Sequence, residues 1–108
     1  MNIFGYKKCS TCTKAIKYYE QNGNDVEFFD FIKEQIPQEV LERLIDKSNQ
    51  PINDFFNSKG VLFKELELKD KIPELNDEEK VELLLSNGKL IKRPIIEDRD
   101  KIIIGFRP

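Results

Sequence analysis

Histidine is absent from this chain, and cysteine occurs only twice in its 108 residues. The first absence excludes every mixed cysteine–histidine zinc site and removes Cys–His dyads and Ser–His–Asp triads. Two cysteines cannot build a four-cysteine zinc site within one chain. An excess of charge of one sign is lacking too. With 18 basic against 20 acidic side chains the formal net charge is −2, so no global field points to nucleic acid or to a membrane surface. No run approaches the roughly 18 apolar residues of a spanning helix. Met1-Asn2-Ile3-Phe4 reaches Gly5 at once, without the basic-then-apolar pattern of a secretory signal. The expectation is one cytoplasmic domain over residues 1–108, with no direct nucleic-acid or membrane partner.

Both cysteines fall in one stretch, Lys7-Lys8-Cys9-Ser10-Thr11-Cys12-Thr13-Lys14-Ala15, spaced C-x-x-C. It lies between a short apolar run (Ile3, Phe4, Tyr6) and an amphipathic helical pattern. Two cysteines in a reducing compartment seldom form a structural staple. A thiol at a helix N-terminus meets the positive end of the macrodipole and unpaired N–H groups, both of which favour the thiolate. Lys7, Lys8 and Lys14 push the same way. Cys9 is therefore the expected low-pKa nucleophile, and Cys12, one turn on, the more buried partner that closes a disulfide.

The rest of the chain sets a frame for that stretch. Asn2 to Tyr6 reads as a first strand, and Cys12, Ala15, Ile16 and Tyr19 as the buried face of a helix stopped at Gly23. Asp25 to Phe31 suits a second strand, giving a βαβ unit with parallel strands. A C-x-x-C at the first turn of such a unit is a thioredoxin-like redox signature. The middle is helical: Pro37 reads as the first residue of a helix buried through Val40, Leu41, Leu44 and Ile45. Ile52, Phe55 and Phe56 form a short inward segment, and Leu62, Phe63 and Leu66 a short helix before a Lys69-Asp70-Lys71 linker. Asn76-Asp77-Glu78-Glu79 opens a last helix that Gly88 closes. Pro94–Glu97 and Ile102–Phe106 read as a hairpin around a polar turn.

Three segments together resemble the arsenate reductase-like (ArsC/Spx) family of bacterial thioredoxin-fold proteins: Phe4 to Ala15, Asn57-Ser58-Lys59-Gly60, and Lys92-Arg93-Pro94-Ile95-Ile96 with Gly105-Phe106-Arg107-Pro108. The resemblance implies an α/β fold, a mixed four-stranded thioredoxin-like sheet with a helical insertion over about residues 34–90, between strands 2 and 3. It implies that Cys9 attacks an oxyanion or a disulfide, with Arg93, Lys59 and Arg107 as surrounding cations. Ser10 and Thr11 complete the candidate substrate-binding set, and Pro94 is the expected cis-proline beside the active cysteine. Family members usually add a last helix after the position of Pro108, so a truncated or minimal variant is the expectation.

Several residues depart from the arsenate-reducing pattern. Lys59 and Thr13 stand where those members tend to carry arginine, which grips an oxyanion bidentately as lysine cannot. Cys12 turns a single-cysteine pattern into a dithiol. The Spx branch binds RNA polymerase and uses its C-x-x-C as a redox switch. Its members depend on a glycine where this chain has Pro51, which lacks an N–H.

The resulting expectation is a thiol-dependent oxidoreductase, arsenate reductase-like, in which Cys9 attacks, Cys12 resolves and Arg93 supports the thiolate. It would be a monomer without metal or organic cofactor, with electrons from a small thiol, glutaredoxin or thioredoxin. An Spx-like redox switch on RNA polymerase is the alternative, and a catalytically silent scaffold the third reading.

Overall fold

Alternation along β1, Asn2–Gly5, sends successive side chains to opposite faces of a sheet, and both faces are apolar. Ile3 joins Ala15 and Ile96 on one side. Phe4 enters the larger cluster with Phe31, Leu41, Leu44, Phe55, Leu84 and Ile95 on the other. A strand buried on both faces belongs in the middle of a sheet. The computed structural model, which describes residues 1–106, places β1 between β2 (Glu27–Asp30) and β3 (Ile95–Asp98). The strand order is β2-β1-β3-β4, with β4 spanning Lys101–Ile104. β1 and β2 run parallel with Phe4 opposite Phe29; β3 is antiparallel to β1 with Ile96 opposite Ile3. β4 returns antiparallel to β3 after the Arg99–Asp100 turn, in which Arg99 takes a φ of 57°. This is a thioredoxin-like α/β fold with a large helical insertion between β2 and β3.

The smaller face is covered by α1, Ser10–Gln21, which buries Cys12 and Ala15. Gly23 follows it with a φ of 86°, the left-handed geometry expected after a helix end. The larger face is covered by the insertion: α2 (Gln38–Ser48), α3 (Val61–Glu65), α4 (Leu68–Lys71) and α5 (Asp77–Ser86). α5 starts with a capping box, in which Asn76 accepts the Glu79 amide at 2.8 Å and Glu79 accepts the Asn76 amide at 3.0 Å.

Three local expectations change. Pro37 is the extended residue that precedes α2, with φ −61° and ψ 141°, and not its first helical residue. Lys69-Asp70-Lys71 is no linker but part of α4, because Leu68 and Ile72 bury themselves on either side of it. α5 ends at Asn87, whose side chain caps a 3-10 turn over Gly88–Leu90. Gly88 is small for a different reason: a Cβ there would run into the Phe31 carbonyl.

Two contacts carry the insertion back to the sheet. Lys92 donates its amide to the Phe55 carbonyl at 2.8 Å, and Asn57 donates to Leu90 at 2.7 Å, around a bridge between Phe56 and Ile91. These bonds set the Asn57–Gly60 turn beside the segment that leads into Arg93. On the same large face, Arg43 and Lys47 of α2 close on the buried Glu97 of β3 at 2.9 and 2.8 Å.

Candidate functional site

Cys9 is the residue before α1, in extended conformation, half-buried, and its carbonyl already accepts the Thr13 amide at 3.1 Å. Cys12 is fully buried, and both thiols are free. They are hydrogen-bonded to one another, which gives the pair opposite characters. Burial pushes the Cys9 thiol up. The Cys12 amide and thiol, the Thr11 amide and the Arg93 charge outweigh it, so Cys9 lies below the ordinary thiol value. Cys12 is driven up to about 12 by burial and by its neighbour Cys9, although the Tyr6 amide and Arg93 work against the rise.

The cation acting on both sulfurs is Arg93, from the far end of the chain, whereas Lys7, Lys8 and Lys14 are exposed. Arg93 lies over Tyr6. The guanidinium carbon stands 5.5 Å from the centre of the Tyr6 ring, and Nη1 is buried without a hydrogen-bond partner. The Arg93–Pro94 bond is cis, and Pro94 accepts the Gly105 amide at 2.7 Å.

Tyr6 was not singled out from the sequence, yet its other groups hold the cysteines. Its carbonyl accepts the Cys9 amide at 3.0 Å, closing a turn over Lys7 and Lys8, and its amide bonds the Cys12 sulfur. Gly5 before it is also functional in shape: an added Cβ would lie 2.6 Å from the Cys12 sulfur. A strand-ending glycine next to a C-x-x-C is a signal of close approach that the sequence does carry.

Thr11, Lys59 and Arg93 line one groove of about 580 Å³ with Asn57, Ser58, Lys92, Ile103, Ile104, Gly105 and Phe106. Three of those ten lining residues are cationic and none is acidic. Ser10 is exposed at the first turn of α1 and does not line it. Arg107 and Pro108 lie outside the described residues. Thr13, a neutral side chain, turns its hydroxyl back to donate to the Cys9 carbonyl at 3.2 Å.

With that geometry in place, the model of the ArsC family matches residues 4–108. The chain belongs to the ArsC family. YusI of Bacillus subtilis (strain 168) is 36% identical over 107 residues, covering 99% of this chain and 91% of YusI. The crystal structure of a possible arsenate reductase from Streptococcus mutans UA159 superposes with a TM-score of 0.86 at 33% identity, covering 99% of this chain and 91% of that one. The regulatory protein MgsR of Bacillus subtilis (strain 168) is 28% identical over 111 residues, covering 100% of this chain and 84% of MgsR. Within this ArsC-family fold, Cys9 and Cys12 are a redox-active pair. Among the described residues no helix is long and apolar enough to cross a membrane.

Proposed function

We propose that the protein is an arsenate reductase-like thiol–disulfide oxidoreductase. The observation that carries this reading is the contrast between two hydrogen-bonded thiols, one held toward the thiolate and the other held firmly protonated at about 12. The Cys9 thiolate attacks one sulfur of a substrate disulfide, forming a mixed disulfide and expelling the other half as a thiolate. That step also removes the part of the Cys12 rise that comes from Cys9, its hydrogen bond and negative charge, and leaves only burial to hold the proton. Cys12 then gives its proton to the departing thiolate and attacks the Cys9 sulfur, with the Tyr6 amide stabilising its charge. That attack expels the second half as a thiolate, which takes its proton from water. The substrate has then gained two electrons, with one proton from Cys12, and the protein is left with a Cys9–Cys12 disulfide. A small thiol, glutaredoxin or thioredoxin restores the dithiol. The reading includes a monomer acting in the cytoplasm.

Arg93 supports the same chemistry. Arg93 lines the adjoining groove, where its charge would attract an anionic substrate group. Lys59 and Lys92 add point charge at the rim, while Ile103, Ile104 and Phe106 supply an apolar wall. That mixture, and the lysine at position 59, suit an organic disulfide bearing acidic groups better than a small inorganic oxyanion.

The test is anaerobic turnover with arsenate and with a mixed disulfide, for wild type and Cys9→Ser, supplying glutaredoxin and thioredoxin in turn. Turnover that Cys9→Ser abolishes supports the reading. No turnover under any pairing overturns it.

The similarity to a regulatory protein, MgsR, favours one second reading, a regulator, which on the Spx resemblance would be a redox switch that binds RNA polymerase. Pro51 stands exposed before a 3-10 turn over Ile52–Phe55, where the branch pattern calls for glycine. A pull-down with and without oxidant separates the two, since only the switch retains polymerase in a redox-dependent way.

A further inference from the structure

Asp30 ends β2 and bonds to neither cysteine, yet its carboxylate reaches the turn that precedes them. Its Oδ2 accepts the Lys7 amide at 3.1 Å, while Oδ1 accepts the amides of Ile32 and Lys33, each at 2.9 Å. The next residue, Phe31, donates its amide to the Gly5 carbonyl at 3.0 Å. The end of β2 thus grips the chain on both sides of Tyr6, which in turn holds the Cys9 amide and the Cys12 sulfur. Burial pushes the Asp30 carboxyl up, but the amides of Lys33, Lys7 and Ile32, aided by the Lys33 charge, bring it below the usual carboxylate range. It is therefore ionised wherever the thiol pair would work.

We propose that Asp30 is a positioning residue for the thiol pair, clamping the Lys7 amide and so fixing the Tyr6–Cys9 turn from which Cys9 enters α1. The proposal rests on the thiol reading above and adds the element that aligns its nucleophile. Cys9 is stabilised as a thiolate by the amides of Thr11 and Cys12, and those bonds hold only while Cys9 keeps its place ahead of the helix. The negative charge of Asp30 acts in the opposite sense, since an anion nearby disfavours a second anion. Geometry and charge thus predict opposite changes in Cys9 when the carboxylate is neutralised, which makes the role decidable.

Asp30→Asn separates the bonds. The carboxamide oxygen can keep the Ile32 and Lys33 amides, but its NH2 then faces the Lys7 N–H and cannot accept from it. Asp30→Ala loses all three. Two readouts are taken on wild type and both variants with the full chain: amide exchange at Lys7, Ile32 and Lys33, and the pH profile of Cys9 alkylation by iodoacetamide. In Asp30→Asn we expect exchange at Lys7 to quicken while Ile32 and Lys33 stay slow. We expect the alkylation profile to move to higher pH and the rate at neutral pH to fall about fivefold, the change one lost hydrogen bond corresponds to. An unchanged profile, or one displaced to lower pH, overturns the proposal, the latter by showing that Asp30 acts through its charge. If Asp30→Ala fails to fold, Asp30→Asn alone decides. An ordinary thiol profile in wild type defeats the functional reading itself. The Lys7 exchange still reports whether the clamp exists.

Discussion

The guanidinium of Arg93 lies over the ring of Tyr6, its carbon 5.5 Å from the ring centre, and this stacking joins the two ends of the chain at the cysteines. Tyr6 leads into the C-x-x-C and Arg93 precedes the cis-proline, so one contact sets the cation that both sulfurs sense. Replacing Tyr6 by Leu should cost about 0.5–2 kcal/mol, the range for a cation–π pair. It should also slow Cys9 alkylation at neutral pH, while Tyr6→Phe, which keeps the ring, should leave both near wild type. Urea unfolding and alkylation rates measure the two effects. Loss of stability without a change in rate would show that Arg93 finds its place without Tyr6.

The two thiols should titrate apart. Cys9 should alkylate with a midpoint below the ordinary value of about 8.5, and Cys12 should stay inert until the pH approaches about 12. Cys12→Ala should move the Cys9 midpoint upward, because the side-chain hydrogen bond to Cys9 is lost. The linkage to stability has opposite signs. Cys9, depressed in the fold, contributes stability above its unfolded value that is lost as pH falls through the folded one. Cys12, raised in the fold, lowers stability as pH climbs from about 8.5 toward 12. Denaturation midpoints across pH 6 to 11, with each cysteine replaced in turn, check the signs.

Gly5→Ala should disturb the resolving thiol first. The added Cβ would meet the Cys12 sulfur at 2.6 Å, with Phe28 at 3.6 Å. We expect a loss of about 1–3 kcal/mol, the usual cost of overpacking. The oxidised Cys9–Cys12 disulfide should also close more slowly, measured by quenching after a stoichiometric oxidant. Normal closure would show that Cys12 has room to move.

Glu97 joins the insertion to the sheet and should govern acid stability. Burial raises its carboxyl, but hydrogen bonds from Lys47, Asn2 and Arg43 bring it down to about 2. The unfolded chain takes up the proton first as pH falls, so the stabilisation is present above about 4.3 and is lost between there and about 2. Arg43 is 47% exposed, so screening limits the contribution to about 1–3 kcal/mol. Glu97→Gln should lower stability at neutral pH and flatten the acid limb of a urea titration. An unchanged acid limb would show that the cluster is incidental.

How far the residues alone could be read differs from element to element. Strand β1 announces itself because Ile3 and Phe4 adjoin a C-x-x-C, and α1 because Cys12, Ala15, Ile16 and Tyr19 repeat at helical spacing. α4 does not, since Lys69-Asp70-Lys71 looks like solvent until Leu68 and Ile72 are seen to be buried beside it. Asp30 carries at most a turn signal, an acid at the end of an apolar strand, and its bond to Lys7 spans a gap that no local pattern encodes.

Local spacing alone determined that a thiol opens a helix after a buried strand, because hydrophobic period and cysteine spacing are properties of neighbouring residues. It also determined the order of the strands, and with it the parallel first pair. The family resemblance put Arg93 among the candidate cations, but that its charge and not that of the neighbouring lysines reaches both sulfurs was decided only in three dimensions. The reason is physical: lysines beside Cys9 in the chain extend into water, which screens them, whereas a half-buried guanidinium held over an aromatic ring stays where its field reaches the sulfur.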